Sequence, residues 1–170
     1  KILLIDKSNI ECISKIYKLL LTKSLLDEAL ENINLILRID KDHYEAIRDK
    51  AYIYFLKNNF DKAKKYIDNI SKLQEKDFFA YNIKGLIYFK NSNFHEAKNY
   101  FEQAIKINSK YVDGYNNLGI CLLELEKLDE AYTVFKDAHE IESDNSKTIV
   151  NLGNVLSLSL IHISEPTRPC

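Results

Sequence analysis

The sequence predicts an all-α fold, a solenoid of antiparallel helix pairs that repeats every 34 residues. Three observations predict it. Alanines recur at Ala29, Ala63, Ala97 and Ala131, each 34 residues after the last. Small residues recur in the same register at Ala51, Gly85, Gly119 and Gly153. Around both sets, apolar residues fall at helical spacing with polar breakers between the helical stretches. Self-similarity at a fixed period of this length is the signature of a stacked repeat architecture.

Numbering each unit so that the recurrent alanine is position 20 gives repeats at 10–43, 44–77, 78–111 and 112–145. Residues 1–9, KILLIDKSN, match the end of a second helix, so the chain reads as starting inside a preceding repeat. Repeat 10–43 is degenerate, because Tyr17 stands at position 8, a slot for a small residue. In each repeat, apolar positions 4, 7 or 8, and 11 predict a first helix, and positions 17, 20, 24 and 27 a second. Position 24 holds Ile33, Ile67, Phe101 and Phe135, and position 27 holds Ile36, Ile70, Ala104 and Ala138. Between the helices stand KNN at 57–59, NSN at 91–93 and ELEK at 124–127. Asn and Ser suit turns and helix N-caps. Asp61, Glu96, Asp129 and Glu130 then fall in the first turn of the second helix, where the helix dipole favours acids. Glycine within a helix costs about 0.5–1 kcal/mol relative to alanine. Gly85 and Gly119 therefore imply a close helix–helix approach.

Residues 146–157 read as the first helix of an incomplete fifth repeat, with Ile149, Leu152, Gly153 and Leu156 at positions 4, 7, 8 and 11. Beyond them the register fails: position 20 would be Glu165, followed by Pro166. The string LSLIHISEPTR at 158–168 resembles a translated sequencing adapter, so 158–170 is expected to be a non-native tail without functional residues. Val155, Leu156, Leu160 and Ile163 favour about one more turn of helix before Pro166 and Pro169 disfavour it, and the last residues are expected to be disordered. The chain is thus expected to be a fragment at both ends, with uncovered apolar faces prone to association.

Composition narrows the function. Hydrophobic residues make up 46% and charged residues 29%, as in folded soluble chains. The net charge of -1, from 24 basic and 25 acidic residues, argues against a nucleic-acid partner. No run of about 18 apolar residues predicts a membrane span, and no signal peptide is visible, so the expected location is cytoplasmic. Cys12, Cys121 and Cys170 are too few and too widely spaced for a disulfide framework or a zinc site. In HEAKN at 95–99, Asn99 replaces the second histidine of a zinc helix, and His95 is expected to face solvent. There is no phosphate loop, GxSxG or GxGxxG. The sequence therefore predicts no catalytic residue, metal or cofactor.

The unit resembles the tetratricopeptide repeat. The stretch GYNNLGICLLELEKLDEAYTVFKDAHEIESDN at 114–145 carries the resemblance best, followed by YNIKGLIYFKNSNFHEAKNYFEQAIKINSKY at 81–111, and it extends over 10–156. The chain departs from the family in lacking tryptophan at position 4, where Ile13, Ile47, Tyr81 and Tyr115 stand, and proline near position 32. The resemblance implies a right-handed superhelix whose concave surface is lined by the first helices at positions 2, 5, 9, 12 and 13. In repeat 44–77 these are Glu45, Arg48, Tyr52, Phe55 and Leu56; in repeat 78–111, Phe79, Asn82, Leu86, Phe89 and Lys90. In repeat 112–145 they are Asp113, Asn116, Ile120, Leu123 and Glu124. This set is apolar for a surface that meets water, as interaction sites are. The implied function is a scaffold or adaptor that holds a protein or peptide on this surface, with Arg48 and Lys90 at its rim. Packing of the same residues between repeats is the other reading. A substrate-recruiting region of a larger enzyme, such as a glycosyltransferase or kinase, is an alternative for the whole. Of the residues with which some family members clamp a peptide's terminal carboxylate, only Asn117 and Lys147 are matched here. The oligomeric state is left open.

Overall fold

The computed structural model describes residues 7–70 and 77–164, with side chains over 9–70 and 77–159. The expectations for residues 1–6, Glu165, Pro166, Pro169, Cys170 and the disorder of the last residues lie outside the described residues. Within them are nine helices and no strand. These are α1 (Lys7–Thr22), α2 (Leu26–Ile39), α3 (Tyr44–Leu56), α4 (Phe60–Ile70), α5 (Phe78–Lys90), α6 (Phe94–Ile107), α7 (Val112–Glu124), α8 (Leu128–Ile141) and α9 (Ser146–Ser164). The all-α solenoid class predicted from the period is the observed one. The chain divides into two compact units, residues 1–75 with α1–α4 and residues 76–170 with α5–α9. In each, every second helix packs on the helix before it and the helix after it. Helix α9 runs on through residues 158–164, about two turns past Ser157.

Within each of the first four pairs, the turn follows one geometry. Ser24, Asn58, Ser92 and Glu126 have φ of 58°, 57°, 59° and 59°, in the left-handed region, and stand 34 residues apart. Each donates its N–H to the carbonyl three residues back: Ser24 to Leu21, Asn58 to Phe55, Ser92 to Phe89 and Glu126 to Leu123. The next residue reaches back five, Leu25 to Leu20, Asn59 to Tyr54, Asn93 to Tyr88 and Lys127 to Leu122. Both bonds together form a Schellman C-cap, which satisfies the last carbonyls of the first helix and reverses the chain. The breakers thus act mainly as C-caps. Asn59 Oδ1 accepts from the Lys62 N–H at 3.2 Å, but Leu25, Asn93 and Lys127 make no side-chain cap bond to the second helix. The acids Asp61, Glu96, Asp129 and Glu130 do lie in the first turns of α4, α6 and α8.

The close approach between paired helices has a specific form in the second unit. A Cβ built on Gly85 would lie 2.5 Å from the Phe101 ring, and one on Gly119 2.4 Å from the Phe135 ring. Position 8 therefore gives its side-chain volume to the phenylalanine at position 24, and both rings are fully buried. The flanking positions 4 and 11 grip position 23: Tyr81 and Tyr88 lie 6.3 and 5.2 Å from Tyr100, ring centre to ring centre. In the first unit, position 8 carries a side chain and position 24 is isoleucine, as Tyr17 with Ile33 and Ala51 with Ile67, all fully buried. Tyr17 is accommodated because the aromatic ring has moved from the second helix to the first.

On α9 the same slot is open: no atom lies within 4 Å of a Cβ built on exposed Gly153. Two alanine substitutions should therefore act in opposite directions. Gly119→Ala should destabilise by about 1–3 kcal/mol through overpacking against Phe135, whereas Gly153→Ala should stabilise by about 0.5–1 kcal/mol through helix propensity alone. Urea denaturation followed by circular dichroism checks both signs. Glu126→Gly should stabilise by about 0.5–1 kcal/mol, because glycine removes the left-handed penalty at an exposed position while adding some freedom to the unfolded chain. A raised midpoint in the same assay is the expected result.

Candidate functional site

The first helices present the residues predicted to line a binding surface, and each unit distributes them differently. In the first unit, Tyr52 and Phe55 on α3 are half-buried and Leu56 is exposed. The Phe55 ring lies 5.8 Å from Phe60. Exposed Glu45 pairs with Lys18 at 3.2 Å. Arg48 is turned onto its own helix, donating from Nε to Asp49 Oδ1 at 2.9 Å, while the Tyr17 hydroxyl donates to Asp49 Oδ2 at 2.9 Å. Burial, and then the Asp49 carboxylate beside it, pushes the Tyr17 phenol well above its ordinary range, so it stays a proton donor. The buried Asp49 carboxylate is thus satisfied on both oxygens, as a buried charge requires.

In the second unit, Leu86, Phe89 and Leu123 are half-buried against the core, and the Phe89 ring meets Phe94 edge-on at 5.3 Å. Phe79 is half-buried, and Lys90, Asp113 and Glu124 are exposed. Asn82 and Asn116, each only 3% exposed, face the neighbouring helix. Asn117 Nδ2 donates to Asn82 Oδ1 at 2.8 Å, and one repeat on, Asn151 Nδ2 donates to Asn116 Oδ1 at 3.0 Å. Asn116 Nδ2 also donates to Thr148 Oγ1 at 2.9 Å, and the Thr148 hydroxyl donates to Asn145 Oδ1 at 3.2 Å. Asn145 caps α9 by accepting from the Thr148 N–H at 3.2 Å. A polar ladder thus ties α5 to α7 and α7 to α9.

Beside that ladder, α7 and α9 enclose a cleft of about 360 Å³. Asp113, Asn117 and Ile120 line it from α7, and Lys147, Val150 and Asn151 from α9. Ile120 is 36% exposed and Val150 60%. The amide nitrogens of Asn117 and Asn151 are committed to the ladder, so their carbonyl oxygens are the groups left to accept from a bound chain. The Lys147 ammonium lies 3.1 Å from Asp113 Oδ1. Of the predicted surface residues, Asn116 and Ile120 come together here. Val150 was outside the predicted set, although the 34-residue register places it at position 5 of the incomplete repeat.

Cys121 offers no nucleophile: its thiol bonds the Phe94 carbonyl at 3.1 Å, and burial pushes its pKa up to about 11. Among the described residues, no three His, Cys, Asp or Glu side chains are grouped to hold a metal, and no helix is long and apolar enough to cross a membrane.

Helix hairpins of fixed length, capped alike and stacked through their first helices, define a helical-repeat protein. Tetratricopeptide-repeat sequences match this chain at residues 45–77, 78–111 and 100–133, which together cover more than half of it. The chain belongs to the tetratricopeptide-repeat family. No curated protein matches it. Among solved structures, MamA from Desulfovibrio magneticus RS-1 is similar with a TM-score of 0.71 and 19% identity, over 91% of this chain and 88% of that one. PilF from Pseudomonas aeruginosa is similar with a TM-score of 0.78 and 14% identity, over 91% and 70%. The first tetratricopeptide-repeat domain of Spaghetti (RPAP3), bound to the HSP90 peptide SRMEEVD, gives 0.65 and 21%, over 72% and 96%.

The ladder makes a stability prediction. Thr148 is fully buried, and Thr148→Val keeps its shape while leaving the Asn116 amide without its acceptor. It should cost about 1–3 kcal/mol. Because repeat arrays come apart locally, the loss should appear first as faster amide exchange in α9.

Proposed function

We propose that this chain is a non-catalytic protein-interaction module, a scaffold or adaptor whose first-helix face holds an extended peptide segment of a partner. The observation that carries the reading is the α7–α9 cleft, where exposed Ile120 and Val150 stand beside the Asn117 and Asn151 carbonyls. An extended peptide would place an apolar side chain between Ile120 and Val150 and donate backbone N–H groups to the two carboxamides. The solved relative that carries an HSP90 peptide supports a peptide-holding role for this fold. The charge in the cleft favours an internal segment over a free carboxyl terminus, because a terminal carboxylate would have to displace Asp113 from Lys147. Half-buried Leu86, Phe89 and Leu123 extend the apolar surface but already serve the core, so affinity should depend most on the two exposed aliphatic residues.

Peptides selected from a random displayed library on this protein test the reading. They should share an apolar anchor and bind Ile120→Asp and Val150→Asp at least about tenfold more weakly, with the thermal midpoint of both variants unchanged within about 2 °C. Selected peptides that bind the variants as well as the parent would place recognition elsewhere.

A further inference from the structure

We propose that α9 carries a second docking face, apart from the α7–α9 cleft, that takes an amphipathic helix from a partner protein. The helix has the pattern alanine, phenylalanine four residues later, alanine three after that. The same surface occurs twice more in this unit, and there its occupant is visible. On α5 it is Tyr81, Gly85 and Tyr88, covered by Ala97, Phe101 and Ala104 of α6; on α7 it is Tyr115, Gly119 and Leu122, covered by Ala131, Phe135 and Ala138 of α8.

On α9 the equivalent residues are Ile149, Gly153 and Leu156. Ile149 is 50% exposed, Leu156 49%, and nothing lies within 4 Å of a Cβ on Gly153. The glycine therefore leaves the hole that a phenyl ring fills at Gly85 and Gly119. From Thr148 to Ser159, α9 has no charged residue, so the face selects an apolar stripe rather than an ion pair. The opposite side of α9 already packs on α8 through fully buried Thr148 and Val155. A helix on the open side would continue the alternation of first and second helices that builds this unit.

The flanking residues choose between the two templates. Tyr81 and Tyr88 hold the Tyr100 ring of α6, whereas Ile149 and Leu156 have no ring with which to stack. The α8 type, with Val134 before Phe135, is the better complement, because Val134 packs beside aliphatic Leu122 in the core.

The probe is a fluorescent peptide with this chain's residues 126–143, titrated into the whole protein by anisotropy. It should bind the parent saturably and bind Gly153→Ala about tenfold more weakly, because the added methyl enters the ring's place. Gly153→Ala is itself expected to fold more stably, so weaker binding could not be laid to unfolding. A peptide with Phe135→Ala should lose affinity to a similar degree, and Ile120→Asp should leave binding unchanged, which separates this face from the peptide cleft. Equal binding to parent and Gly153→Ala would overturn the proposal, since the peptide would then be exchanging with α8 or lying elsewhere. So would an absence of saturable binding, or a dimer of the parent that Gly153→Ala dissociates, since a second copy would then occupy the face.

Discussion

In the second unit, each helix hairpin rests on a phenyl ring laid over a glycine. Helices of this length are marginal alone in water, and their apolar stripes gain stability only when pressed together. Gly85 and Gly119 let the rings of Phe101 and Phe135 sit against the backbone of the first helix, so both rings are fully buried. The glycine's cost in helix propensity is offset by burial of a phenylalanine side chain, about 1.5–3 kcal/mol. The first unit solves the same volume problem with isoleucine at position 24 and a side chain at position 8.

That contact forms only if the chain reverses within three residues, and the left-handed residue at each hairpin turn does this. Serine, asparagine, serine and glutamate occupy a conformation that glycine would hold with less strain. The glycines of this chain are placed instead in the helices, where absence of a side chain is needed for packing. Helix α9 has the glycine without the ring, which is why its slot at Gly153 stays open.

The period, the helix pairs and the close approach at positions 8 and 24 were legible in the sequence because each is a local pattern repeated in register. The misfit predicted for Tyr17 shows where pattern reading stops. Its hydroxyl finds Asp49, 32 residues away, and no spacing rule announces that partner. Glu126 is a similar case, since a glutamate gives no sign of left-handed geometry and only the neighbouring turns reveal it. Asn82 and Asn116 were legible as residues of the first-helix face. Their inward orientation was not, because it depends on how far each first helix is rotated against the next. Val150 was within reach of the register and was passed over only because the fifth repeat is incomplete.

The polar ladder and the cleft divide one surface between them. Asn82 and Asn116 are buried and hydrogen-bonded, which fixes the lateral register of α5, α7 and α9. Ile120 and Val150, the apolar members of the same face, are left in contact with water. The polar side chains therefore hold the repeats together, and the aliphatic ones remain for recognition. Since Lys147 is already paired with Asp113, and screening weakens exposed ion pairs, charge contributes little selectivity in this cleft. Shape between Ile120 and Val150, with backbone N–H groups directed at Asn117 and Asn151, is what remains to distinguish one peptide from another.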